Sequence, residues 1–370
     1  MVDAMSSRIE VLYRVRSDAK SIAARAEGIA VEQSVEMPVA AIDDAFVLAE
    51  TLGRVVDIKD IGRGQFEVRI GLASVTTGFE PGQLFNMLFG NTSIQDDVTL
   101  VDARFPEEFA AAFRGPNHGL AGLRTRVKAE GALTCSALKP QGSTSAALAQ
   151  LAGRIAAGGI DYLKDDHGLA DQSYSPFAER VPAIAETVAD AAARTGTPTR
   201  YLPSLNGNLD SLRQQVALCR SCGLDTVLIA PVIAGLAQFH TLVKENPDIA
   251  FVTHPTMAGA ARIMPSFQLG KLFRLLGSDA TIFPNHGGRF GYTPEECKRL
   301  AGFALQDWPG VKPCVPVPAG GMSLERISEI LDFYGADIML LIGGSLLSTR
   351  ERITEETARY VEAVRNYRTR

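Results

Sequence analysis

The sequence predicts an α/β protein, with a C-terminal (βα)8 TIM barrel behind a smaller N-terminal α+β domain of the ferredoxin-like kind. Three observations predict it. From about residue 130, strand-like and helix-like patterns alternate with turn signals between them. Eight such repeats occupy roughly 240 residues, the size of one closed barrel. The strand segments are short continuous apolar runs, as expected where both faces of a sheet are covered. An open doubly wound sheet rarely needs eight regular units, and no G-x-G-x-x-G follows the first strand.

Residues 1–118 lack that alternation. "RIEVLYRVRS", "VEQSVEMP", "GRVVDIKDIGRGQFEVRIGLA" and "GQLFNMLFG" mix strands and helices, and "FRGPNHGLAGLRTRV" reads as the connector to a barrel over 119–370. The first barrel strand, "ALTCSAL", ends at Lys139-Pro140, and "SAALAQLAGRIAAGG" is a helix that stops on its glycines. "IDYLKDD" follows, then a helix opening near "SPFAERV". The third and fourth pairs are "RYLPSL" with "NLDSLRQQVALCRSCG", and "TVLIAPVI" with "LAQFHTLVKEN". The fifth and sixth are "IAFVTHP" with "SFQLGKLFRLLG", and "ATIFPN" with "TPEECKRLAGFALQ". "KPCVPVPAGG" with "SLERISEILDFYG", and "DIMLLIGGS" with "TEETARYVEAVRNY", complete the ring.

The composition, 46% hydrophobic and 21% charged over 370 residues, supplies ample core for one barrel and a partner domain. A net charge of −5 without a Lys/Arg-rich run argues against nucleic acid or an anionic membrane surface as partner. No apolar run is long enough to span a bilayer, and the first residues carry no apolar signal core. The five scattered cysteines then point to reduced thiols in the cytoplasm. The pair in "CRSC" falls late in a helical pattern with no second pair to complete a tetrahedral zinc site, so packing explains it better than chemistry.

In a barrel the catalytic groups sit at the C-terminal ends of the strands. Strand one ends at Lys139, strand two at Lys164, Asp165, Asp166 and His167, and strand five at His254. His286 and Arg289 follow strand six. Gly320-Gly321 and Gly343-Gly344 end strands seven and eight, where bare backbone N–H groups commonly bind phosphate. A turn explains either glycine pair alone; two pairs at those two ends favour an anion. Lysines there need anionic partners. Either Lys164 forms an ion pair with Asp165 or Asp166, or it is held beside a metal or an enolisable carbon. Asp166 and His167 offer one oxygen and one nitrogen to a divalent ion.

"GGIDYLKDDH" resembles "GGxDxxKDDE" of the RuBisCO large subunit, and the whole chain more closely resembles the short RuBisCO-like (form IV) proteins. The resemblance implies a lysine carbamate on Lys164 that binds Mg²⁺ with Asp166 and His167. It makes Lys139, in "LKPQG", the acid–base lysine, and puts His254 and Arg289 in the catalytic set. It also implies a homodimer in which Asn91 and Glu32 reach the neighbouring subunit's site, while Gly320, Gly321, Gly343 and Gly344 hold phosphate.

The departures bear on function. Gln141 stands for a second lysine, Pro255 for an arginine and Ala319 for a serine, which removes groups that hold a bisphosphate. His167 in place of glutamate gives Mg²⁺ a nitrogen where it prefers oxygen. Carbon fixation is therefore not expected. The resemblance implies enolisation of a ketose monophosphate, most concretely the isomerisation of 5-methylthioribulose 1-phosphate. Two alternatives share the fold: a decarboxylase of the 3-oxo-isoapionate-4-phosphate type, and the diketo-methylthiopentyl-1-phosphate enolase of methionine salvage. Asn91 counts against the enolase, whose lysine falls near that position. An alternative of another class is a sugar-phosphate-binding regulatory protein without catalysis.

Overall fold

The computed structural model describes residues 7–367. Two compact units emerge, one built from the chain up to Arg114 together with Ala258–Gln268, the other from Gly115–Met257 and Leu269–Arg370. The first unit runs β1 (Arg8–Arg16), helix Ile22–Glu32, β2 (Arg54–Gly62), β3 (Gln65–Ala73), helix Pro81–Phe89 and β4 (Val98–Arg104). Its sheet has the order β2-β3-β1-β4 with antiparallel neighbours, the ferredoxin-like arrangement. The two-residue period of β1 buries Ile9, Val11, Tyr13 and Val15 on one face, each side chain contributing about 1.5–3 kcal/mol. Segment 258–268 joins this unit through β4: Leu100 N–H donates to Arg262 O, and Met264 N–H donates to Leu100 O, both at 2.9 Å.

The second unit opens with helix Gly119–Val127 and continues through β5 (Leu133–Leu138), β6 (Tyr162–Asp165), β7 (Arg200–Leu202), β8 (Ser204–Leu205) and β9 (Thr226–Ile229). Four more strands follow: β10 (Ala250–Thr253), β11 (Ala280–Pro284), β12 (Val315–Ala319) and β13 (Met339–Leu341). Their order is β7-β6-β5-β13-β12-β11-β10-β9-β8, with parallel pairing. The two ends of that order are one stretch of chain. The expected third strand, "RYLPSL", is interrupted at Pro203, which has no N–H for the ladder. β7 pairs with β6 and β8 with β9, while Pro203 O accepts from Leu228 N–H at 2.9 Å. The ring closes there as an eight-unit barrel.

Inward positions of the strands form a continuous apolar core from Leu133, Cys135, Tyr162, Leu202, Leu228, Val252, Ile282, Val317 and Met339, with Leu123 and Val127 of the first helix packed into it. Tyr162 fits because its hydroxyl donates to Leu123 O at 2.7 Å. Surrounding helices start where short polar side chains cap them: Thr144, Asn208 and Thr293 each accept the N–H three residues on. Cys219 is buried in helix Leu209–Ser221, and all five cysteines are free. Among the described residues no helix is long and apolar enough to cross a membrane.

Candidate active site

Alternation along a strand carries one face of each chain segment from core to rim. On β5, Cys135 and Ala137 point inward, so Lys139 two residues on lies over the core. On β6 the inward series is Tyr162, Lys164, Asp166. On β10 it is Ala250, Val252, His254. At the C-terminal mouth the inward face thus changes from hydrocarbon to ionic groups.

These groups meet. Lys139 Nζ donates to Asp166 Oδ2 at 2.7 Å, and His167 Nδ1 lies 2.9 Å from Asp166 Oδ1. Lys164, only 3% exposed, donates to the Asp165 carbonyl at 2.9 Å. The imidazoles of His167 and His254 stack, with centroids 4.1 Å apart and planes 10° apart. His254 Nδ1 sits 2.6 Å from Thr256 Oγ1. Burial lowers the Lys164 amine from its ordinary value, against the pull of Cys135 and Asp166. Burial also works to raise Asp166, but the adjoining His167 and Lys139 outweigh it and hold the carboxyl well below the usual range. For His254, burial first and then the nearby Lys164 and His167 push the ring down to about 2, so it is neutral at any working pH.

Asp165 faces the other way. Its buried carboxylate takes Arg180 Nε at 3.2 Å, the Tyr201 hydroxyl at 2.8 Å and Ser204 N–H at 3.1 Å. Arg180, also fully buried, donates to Ser175 O at 2.6 Å and Ala170 O at 2.9 Å, tying down the loop after β6. Neither ion pair expected for Lys164 forms side chain to side chain: Asp165 takes Arg180, and Asp166 takes Lys139. The strand period of two separates the adjacent carboxylates.

The glycines differ in character. Gly320 (φ 82°) and Gly321 (φ 67°) adopt left-handed backbone that favours glycine without any ligand. At Gly343 and Gly344 an added Cβ would meet nothing within 4 Å, so open space lies beside them. Arg289, exposed in the loop after β11, lies with its guanidinium carbon 4.8 Å from the Phe290 ring centroid. Among the described residues, no hydrogen bond or ion pair links it to the Lys139–Asp166 pair. In the first unit, Asn91 Nδ2 donates to Glu32 Oε1 at 2.9 Å and to Glu36 Oε1 at 3.0 Å.

Sequence reasoning passed over Thr256, Arg180 and Tyr201. Thr256 carries a weak signal, as a hydroxyl two residues past a rim histidine. Arg180 and Tyr201 lie on later elements and carry none. A cavity of about 210 Å³ also opens beside His167 and His254.

The family model for the ribulose bisphosphate carboxylase large chain, catalytic domain, matches residues 119–349. The chain is 56% identical over 362 residues to a protein named 5-methylthioribulose-1-phosphate isomerase from Rhodospirillum rubrum, covering 97% of each. It is 54% identical over 364 residues to ribulose bisphosphate carboxylase-like protein 1 of Rhodopseudomonas palustris, covering 98% of this chain and 99% of that one. A crystal structure of a RuBisCO-like protein from Rhodopseudomonas palustris matches with a TM-score of 0.92 at 48% identity, over 98% of this chain and 99% of the other. On its rim, its fold and these relatives, the chain belongs to the ribulose bisphosphate carboxylase large-chain family, among the RuBisCO-like proteins.

Proposed function

We propose that this enzyme isomerises 5-methylthioribulose 1-phosphate, moving a proton between carbons near the ketone through an enediolate and fixing no CO₂. The observation that carries the reading is the meeting of Lys139, Lys164 and Asp166 from two adjacent strands at one mouth. The length over which the chain matches a protein named for that isomerisation supports it.

Lys139 is the acid–base group. Its Nζ holds a proton against Asp166 at 2.7 Å and hands it to, or takes one from, the carbon beside the ketone. His254 stays neutral, and with Nδ1 at Thr256 its Nε2 is the nitrogen left for a substrate oxygen. Backbone N–H groups of Gly320, Gly321, Gly343 and Gly344 take the single phosphate, with Arg289 over the bound substrate.

Unmodified, the mouth brings Asp166 and His167 together with the stacked His254, but no group of three His, Cys, Asp or Glu side chains among the described residues is arranged to hold a metal ion. Lys164 fits the missing place. Burial favours its neutral amine, which adds CO₂ and releases a proton to leave a carbamate oxygen donor. Carbamylated Lys164, Asp166 and His167 would then hold Mg²⁺. That ion, when bound, supplies charge stabilisation for the enediolate oxygens. We further propose a homodimer in which Asn91 and Glu32 serve the partner subunit's site.

The test is proton exchange. With 5-methylthioribulose 1-phosphate, Mg²⁺ and bicarbonate in D₂O, NMR is expected to show deuterium uptake next to the carbonyl and a new ketose phosphate. Saturable binding of the sugar without exchange would overturn the reading, and a diketone substrate turned over instead would point to the enolase.

A further inference from the structure

We infer that the cavity beside His167 and His254 is the subsite for the thioether end of the substrate, and that Ile233 and its neighbours make the enzyme select ketose monophosphates with an apolar far terminus. This deepens the isomerase reading and rests on it.

Position around the ring is the first argument. Taken in order, the barrel units are β5, β6, β7 with β8, β9, β10, β11, β12 and β13. The glycine pairs end β12 and β13, the seventh and eighth units. The cavity lies over the ends of β8, β9 and β10, with residues from 204–207, 228–234 and 254–256. In an eight-membered ring the third and fourth units stand across the mouth from the seventh and eighth. Lys139, just past β5, and Lys164 and Asp166, at the end of β6, lie between. A ketose phosphate held by its phosphate at the glycines, with its ketone at Lys139, would direct its other end toward this cavity.

Chemistry is the second. The wall is formed by Leu205, Leu228, Ala230, Ile233 and Ala234. Leu228 is fully buried and Leu205 nearly so, but Ile233 is 51% exposed. An isoleucine left half open on a cavity wall is apolar surface that a ligand would cover. The polar atoms come from uncharged Ser204, Asn206 and Thr256 and from the two rim histidines; no lysine or arginine lines the space. A second phosphate arriving here would lose its hydration and find no lysine or arginine in the lining, which is costly. A thioether sulfur, a weak acceptor, loses little on leaving water. The apolar side of the lining thus favours methylthio over phosphate, and over a hydroxyl that would face Ile233.

The experiment compares kcat/KM for 5-methylthioribulose 1-phosphate with that for ribulose 1-phosphate, which carries hydroxyl in place of methylthio. Wild type is expected to prefer the thioether at least tenfold. Ile233→Asn, which makes the wall polar, and Ala230→Leu, which fills the space, should each erode that preference by about tenfold. Both are checked by circular dichroism for a wild-type fold, and either one suffices if the other misfolds. Folded variants that keep the wild-type preference overturn the subsite and leave the isomerase standing. A wild type that exchanges protons on neither ketose overturns the isomerase reading, and the subsite with it.

Discussion

His254 shows how one imidazole can be held neutral beside two lysines. Burial is the main cause, and Lys164 and the stacked His167 add to it. An unfolded histidine titrates near ~6.5, whereas this one is pushed down to about 2. Below about pH 6.5 the unfolded chain therefore takes up a proton that the folded chain refuses. The stability linked to this ring is complete above that pH and is lost as pH falls toward the folded value, at up to about 1.4 kcal/mol per pH unit. His254→Asn has nothing to titrate. Its unfolding free energy, from urea titrations at about pH 6 and about pH 4, is expected to fall less steeply than that of wild type. Equal slopes would mean that the folded ring takes up the proton. Asp166 acts in the same sense, its contribution being lost as pH falls below about 5, but it is present in both proteins and drops out of the comparison.

At the scale of elements, the loop after β6 is positioned from beneath. Asp165 and Arg180 are both fully buried, and four further bonds spread from them, to Tyr201, Ser204, Ser175 and Ala170. Arg180→Met leaves a buried carboxylate without its cation, at a cost of about 3–5 kcal/mol. Denaturation should record that loss, and Asp165→Asn added to Arg180→Met should recover part of it. A single variant as stable as wild type would show that the hydroxyl of Tyr201 and the N–H of Ser204 suffice. The same region contains a barrel element that periodicity alone misjudges. "RYLPSL" reads as an uninterrupted strand, yet Pro203 splits it into two ladders facing different neighbours. That split is where the sheet becomes a closed ring.

At the scale of the molecule, the proposed shared site makes a prediction that no single chain can. Lys139→Ala and Asn91→Ala should each abolish turnover. Unfolded together and refolded as a mixture, they should regain part of it, because a mixed dimer contains one site with both residues intact. No recovery, with mixed dimers confirmed by mass spectrometry, would place Asn91 and Lys139 in sites that do not share subunits.

The barrel was legible in advance because each unit repeats a local signal: an apolar run, a turn, and an amphipathic helix. The rim was legible for a related reason, since Lys139, Lys164 and His254 end apolar runs and a barrel strand has only one functional end. Motif resemblance added the roles proposed for them. Which carboxylate serves which cation was not legible, because Asp165 and Asp166 are neighbours in sequence and opposites in space. Nor was the apolar wall over β8, β9 and β10, as Leu205 and Ile233 look like any core residues until the fold leaves one of them half open. Local pattern determined the architecture and the identity of the rim because hydrogen-bonded ladders and hydrophobic burial act through short-range periodicity. Partner choice and the shape of the subsite were left to the folded molecule, since charge and surface contact depend on distance through space, which the order of residues does not record.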